Sequence, residues 1–405
     1  MEANNPYLLS IIIPTRNRQP YALAAVNHIL ASTSDEVQVV IQDNSDSNSL
    51  FEQVMQGDKA HRIKYGYSPV ELSFVDNFSK GVELADGDYV CMIGDDDGIN
   101  PEIEEFVRWA KLNDIEAITP EIRLNYIWPN TGISYYKKDT GNLTIVDFDL
   151  SFKFYDPKKE LMKLLNSGGQ NYLKYNLVKI YHGIIKRSLM DEVKKVTGRY
   201  FGGLSPDIYS SVALSLVTNK VLKIDYPLTI PGVCRKSGAG HSSTGRHHGN
   251  LEEAPQLKGH TDYQWSTLVP RFYSVETLWA DSSIAGFYEM GRFDLLKKFN
   301  VLRLSAYCYL NYRQFNTYTT ENLKKYRFNT KQSQFGIGFK LVANLFLGPI
   351  NDLRVRIINK LFRKKNTVLL YTDVTDICAA EEQLKNYLKS NATSVADIID
   401  KLNNK

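Results

Sequence analysis

Through residues 8–119, short β-branched apolar runs alternate with amphipathic helical patterns. That alternation restricts the chain to a mostly parallel sheet with helices on both faces. The runs are LLSIII (8–13), VQVVI (37–41), IKYGY (63–67), DYVCMI (88–93) and EAIT (116–119). Between them, Pro20 opens a helix with Leu23, Val26 and Leu30 on one face, and a second helix is predicted over 74–85. Asn100 and Pro101 cap and open a third, in which Ile103, Phe106, Val107 and Ala110 keep helical spacing. Ligands of such sheets sit beyond the carboxyl ends of the strands. PTRN follows the first strand, QDNSD the second and GDDD the fourth, so three polar clusters meet at one rim.

The last cluster holds Asp95, Asp96 and Asp97. Alternate residues of an extended chain point the same way. Asp95 and Asp97 are therefore expected to face one site at a solvent-facing rim, with Asp96 turned away. Two hard oxygen ligands there suit Mn²⁺ or Mg²⁺, completed by substrate phosphates and water. A solvated Asp-Gly turn is the bland alternative. An EF-hand fails, because it needs Gly at the sixth loop position and counting from Asp95 gives Asn100.

Composition sets outer bounds. At 405 residues, 43% apolar and 23% charged, the chain is long enough for two or three soluble domains. A net charge of +4 does not argue for a nucleic-acid partner. Cys91, Cys234, Cys308 and Cys378 lack CxxC spacing, which argues against a zinc site or disulfide framework and fits a reducing compartment. The opening MEANNPYLLSIII has no basic region before its apolar run and does not read as a signal peptide. The longest apolar candidate, about 335–350, is broken by Lys340, Asn344 and Pro349, short of the ~18 residues of a membrane span.

SIIIPTRNR, VVIQDNSD and NFSKGVELADGDYVCMIGDDD, in that order, resemble the motifs of family 2 glycosyltransferases with the GT-A fold. The resemblance covers roughly residues 8–235. It implies an α/β, Rossmann-like catalytic domain over 1–235 that moves a sugar from a nucleotide-diphosphate sugar. By that resemblance Pro14, Thr15, Arg16 and Asn17 line the nucleotide pocket. Asp43 accepts from the base, most simply the N3–H of uracil, for which an acceptor-only carboxylate is suited. Asn77, Asp86 and Gly87 match the segment leading into the metal strand. Asp76 reaches the nucleotide or caps a helix, and Asp46 is expected to cap. Asp97 is the expected direct metal ligand, Asp95 binds ribose or the metal through water, and Asp96 belongs to the donor site. In FGGLSPDIYSS (201–211), Asp207 resembles the general base of inverting members. Gly202 and Gly203 allow close backbone approach, and the bland alternative is a helix-capping Asp207.

The Gly/Ser/His segment 236–260 reads as an active-site loop. In it Arg246 could pair with diphosphate, and His241, beside His247 and His248, could ligate the metal. His182 is assigned to the core or the acceptor cleft, without a role. Residues 261–365 read as helical. NDLRVRIINKLFRKK (351–365), with six basic residues against Asp352, reads as a basic amphipathic helix for an anionic membrane surface. Residues 366–405 read as small helices. The expected protein is a cytoplasmic, metal-dependent, inverting transferase, peripheral at the inner membrane face, with a UDP-sugar donor, a glycan or lipid-linked acceptor, and self-association as an option. Two rivals stand. A sugar nucleotidyltransferase needs a Gly-rich loop where this chain has PTRNRQP. An inactive nucleotide- or glycan-binding module would not need Asp43, Asp95, Asp97 and Asp207 intact.

Overall fold

The computed structural model describes residues 6–132, 140–235, 248–257, 263–346 and 367–404. At its centre lies β1 (Tyr7–Thr15), buried from Leu8 to Thr15. Burial on both faces is why this strand reads as a continuous apolar run. β2 (Val37–Asp43) and β4 (Gly87–Met92) flank it in parallel, so that Ile11 lies between Val39 and Cys91. β3 (Ile63–Tyr67) pairs in parallel outside β2. The eight-stranded sheet runs β3-β2-β1-β4-β7-β5-β8-β6, adding β5 (Ala117–Pro120), β6 (Phe152–Tyr155), β7 (Ile184–Lys186) and β8 (Val221–Ile224). β7 is antiparallel to both of its neighbours. From β1 the chain moves outward to β2 and β3, then crosses back to β4 on the other side. Crossovers diverge at that switch point and leave a crevice between the ends of β1 and β4. The third polar cluster sits there.

The pleat of β1 divides two cores. Leu9, Ile11 and Ile13 face one, with Ala25, Val26 and Ile29 of α1 (Gln19–Ser32) and Phe106 and Val107 of α4 (Ile103–Leu112). Ile12 faces the other, with Val75 and Val82 of α3 (Phe74–Leu84) and Met190 and Val193 of α6 (Arg187–Thr197). Each fully buried aliphatic side chain contributes about 1.5–3 kcal/mol. α2 (Ser49–Met55) lies beyond β2 and has Asn48 at its N-cap position, so Asp46 is not its cap. Gly87 lets β4 approach β1: a Cβ there would stand 2.6 Å from the Ser10 backbone N.

Helices from the C-terminal half build a third core. Ala280, Ile284 and Phe287 of the helix Val275–Glu289 pack with Leu161 and Leu164 of α5 (Pro157–Asn166) and Ile208 and Val212 of α7 (Pro206–Val217). The tail, read from sequence as small helices, also supplies a strand. Val368–Thr372 pairs antiparallel with Asn142–Val146, which pairs with Leu124–Ile127. The helices Ile377–Ser390 and Val395–Asn403 then cover the first core through Ile377, Leu384 and Ile398. Val395 N donates to Glu102 at 2.7 Å, and Trp109 Nε1 donates to Asn403 at 2.8 Å.

Candidate active site

The acidic triplet does not continue β4. Asp97 N donates to the Gly94 carbonyl at 3.2 Å, so residues 94–97 form a tight turn. A turn cancels the alternation that an extended chain would impose. Asp95 and Asp96, rather than Asp95 and Asp97, share a partner. Arg18 Nε donates to Asp95 Oδ2 at 3.0 Å, its guanidinium pairs with Asp95 Oδ1, and its Nη1 lies 3.5 Å from Asp96 Oδ2. The same Nη1 reaches Cys234 Sγ at 3.3 Å. Across the crevice, Thr15 Oγ1 donates to Asp95 Oδ2 at 2.6 Å, joining the ends of β1 and β4. Asp96 is thus not turned away; its Oδ2 also accepts from Cys234 N at 3.0 Å.

The solvent-facing rim is likewise corrected. Asp95 is 0% exposed and Asp97 2%. Asp97 Oδ2 accepts from Gly94 N at 2.6 Å and Tyr181 Oη at 3.0 Å, and its Oδ1 accepts from Gly232 N at 2.6 Å. His182 Nε2 stands 3.3 Å from Asp97 Oδ2, while its Nδ1 meets Thr229 Oγ1 at 3.1 Å. Burial pushes the Asp95 carboxyl above the usual carboxylate range, and Arg18 pulls it back. Asp96 is raised by burial and by Asp97. Burial lowers the His182 pKa against the pull of Asp97, which keeps the ring neutral near pH 7. Arg18 is the one cation paired with the triplet among the described residues, and it leaves negative charge uncompensated. Asp95 Oδ1 takes no directional hydrogen bond. This surplus of buried hard-oxygen charge fits a divalent cation. Among the described residues no three His, Cys, Asp or Glu side chains form a cage. Two carboxylates completed by phosphate oxygens and water match how Mg²⁺ is usually bound.

The other donor-site residues lie around the same rim. Asn17, at φ +55°, exchanges two bonds of 3.0 Å with Asp46: its Nδ2 donates to Asp46 Oδ2, and Asp46 N donates to its Oδ1. That exchange is the role Asp46 has in place of a cap. Arg16 points outward and pairs with Glu71 at 2.7 Å. Pro14 lies in β1 beside Gln42. Asp43 is fully buried; it accepts from Ser45 N at 2.8 Å, an Asx turn, and from Tyr65 Oη at 2.6 Å. Asp76 accepts from the N-cap Ser73 at 2.7 Å and so belongs to the start of α3. Asn77, on that helix, is buried with Oδ1 lacking a hydrogen bond. Asp86 is held at the strand's entry by Gln38 and Lys64.

Asp207 occupies the first turn of α7, directly after Pro206. Its carboxyl makes no hydrogen bond or ion pair among the described residues, so the capping alternative finds no support. Burial alone pushes it up to about 6. It lines an open pocket with Tyr172, Lys179, Tyr181 and His182. Tyr181 connects the two centres: its hydroxyl bonds Asp97, and the charges of Asp97, Asp96 and Asp207 all act on it. Tyr181 and His182 are site residues that sequence reasoning left without a role. Ser282 is another. Its Oγ accepts from Leu204 N at 3.0 Å and Ser205 N at 2.9 Å, holding the turn that presents Asp207. Gly203, at φ +64°, leaves room for it: a Cβ there would lie 2.8 Å from Ser282 Cβ. His241, Arg246, His247 and the basic segment 351–365 lie outside the described residues. His248 is described, in a strand against Phe272–Ser274 and near Tyr312 and Phe315.

Comparison with known proteins follows this geometry. Residues 10–167 match the family described as glycosyl transferase family 2. A protein of Escherichia coli (strain K12) named as a colanic acid biosynthesis glycosyl transferase, WcaA, is 33% identical over 101 residues. That match covers 24% of this chain and 35% of the relative's length. Crystal structures of Staphylococcus aureus TarS 1–349 are similar at low identity. The complex with UDP-GlcNAc aligns with a TM-score of 0.43 and 14% identity, over 81% of this chain and 93% of that one. The complex with UDP aligns at 0.39 and 16%, over 56% and 60%. The motif order and the switch-point crevice agree with that match: residues 10–167 of this chain are similar to glycosyl transferase family 2.

Proposed function

We propose that the chain is a metal-dependent, inverting glycosyltransferase. It moves a sugar from a nucleotide-diphosphate sugar, a UDP-sugar, to a hydroxyl of a glycan or lipid-linked acceptor. The observation that carries this reading is Asp207: a carboxyl without a partner, in a pocket that Tyr181 joins to the buried triplet. The donor lies in the crevice between β1 and β4, its base at Asp43 and its diphosphate toward the triplet. Asp95 and Asp97 would hold a Mn²⁺ or Mg²⁺ ion, which when bound offsets charge on the departing diphosphate. Asp207 takes the proton of the acceptor hydroxyl as its oxygen bonds the anomeric carbon and the carbon–diphosphate bond breaks. One displacement inverts the anomeric centre. Tyr181 and neutral His182 fix the Asp97 carboxylate from the acceptor side. The basic segment 351–365 supports a place at the inner face of the cytoplasmic membrane, on anionic lipid.

The test is thermal. UDP should raise the melting temperature when Mn²⁺ is present and have little effect in EDTA. Equal stabilisation under both conditions would remove the metal from the proposal. Analysis of the product anomer by NMR then decides inversion.

A further inference from the structure

The pocket that holds Asp207 also holds a cation without an ion-pair partner. Lys179 lines it together with Thr119, Tyr172, Tyr181 and Asp207. Its ammonium makes no hydrogen bond or ion pair among the described residues. Among the described residues Glu121 is the one acid acting on it, and Glu121 is already paired with Lys223 at 2.6 Å. Lys223 also donates to Asn176 at 2.9 Å and adds like charge nearby. Burial and that like charge both disfavour the Lys179 cation. Asp207 lines the same pocket but forms no ion pair with it. The carboxyl and the ammonium are therefore separate stations of one concave site. Keeping an unpaired ammonium in such a place is unfavourable unless a ligand brings the counter-charge. Ile122 and Leu173, 52% and 59% exposed, form an apolar lip on the same pocket and suit the carbon face of a sugar ring.

We infer that the acceptor carries an anionic group, a carboxylate or a phosphate, which Lys179 binds while the acceptor hydroxyl lies at Asp207. The inference rests on the transferase reading for the identity of the ligand as acceptor. It makes Lys179 a determinant of acceptor choice, with no part in donor binding or proton transfer.

A binding experiment tests it without turnover. Lysines of the full chain are reductively methylated with ¹³C-formaldehyde, and the Lys179 signal is assigned by its loss in Lys179→Gln. Methyl β-glucuronide, glycerol 1-phosphate and neutral methyl β-glucoside are then titrated. A saturable shift of the Lys179 signal with the glucuronide alone assigns a carboxylate, with the phosphate alone a phosphate. A shift with both keeps the shared chemistry. No shift with either anion, or an equal shift with the neutral glucoside, overturns the inference. If a nucleotide-sugar is turned over, Lys179→Gln should raise KM for the anionic acceptor about tenfold. It should leave kcat and donor affinity nearly unchanged, and Lys179→Arg should recover most of the loss. If no nucleotide-sugar is turned over, the transferase reading fails while the NMR titration still decides whether Lys179 is an anion site.

Discussion

At the residue scale, the two most informative carboxylates behave in opposite ways. Asp207 is raised by burial and makes no bond that depends on its charge. Asp207→Asn should therefore lower kcat by about 10²–10⁴ while leaving donor affinity intact. In the parent, kcat/KM should fall on the acid side with a limb near pH 6, where Asp207 becomes protonated. The sign for stability follows from linkage. A carboxyl whose folded pKa lies above its unfolded value makes the fold less stable as pH rises between the two. The melting temperature of Asp207→Asn relative to the parent should thus climb from about pH 4 to pH 6, and a flat difference would contradict the burial argument. Asp97 is instead held by its bonds: its carboxylate accepts from two backbone N–H groups and Tyr181. In Asp97→Asn the amide NH₂ must face a donor. Activity should vanish, and stability should fall by about 1–3 kcal/mol in denaturant titration. An unchanged midpoint would show those bonds to be dispensable. The sequence made the triplet visible but not its orientation. The alternation rule presumes an extended chain, and Gly94 at the strand's end permits a turn instead.

At the scale of elements, the main strands of the first 120 residues were legible because burial on both faces leaves continuous apolar runs, and three of the helices from their apolar spacing; the short helix Ser49–Met55 was not read. IKYGY forms a strand over the residues read from its pattern. The elements that orient the base were not legible, since they come from distant segments. Helix Val275–Glu289 contributes Ser282, whose single hydroxyl oxygen takes two backbone N–H groups of the turn before α7. No local pattern marks a serine for such a role; the Gly202-Gly203 pair was the one hint that something approaches closely. Ser282→Ala leaves one buried and one half-buried backbone donor unsatisfied. It should lower kcat several-fold and move the acid limb of the pH profile, with donor affinity unchanged. A variant that lost stability but kept both kcat and the limb would reduce Ser282 to a structural residue.

At the scale of the whole molecule, the tail is part of the first core. Leu384 is 1% exposed there, in the same cluster as Ile29 of α1 and Phe106 of α4. Leu384→Ala should cost about 2–5 kcal/mol and lower the main calorimetric transition. If the tail were a separate appendage, that transition would stay in place and a minor one would move. Its helices were read from the sequence and its strand was not; their partners could not be, because nothing local says which face of a distant sheet they cover. This arrangement also has a consequence in time. α1 and α4 leave the ribosome early, while Ile377 follows Phe106 by about 270 residues, a delay of roughly 15–50 s at ~5–20 residues per second. For that interval the nascent chain carries an apolar face whose cover has not yet been made. The cell must shield that face during synthesis, so demand for a chaperone should peak mid-translation and end when the last helices emerge.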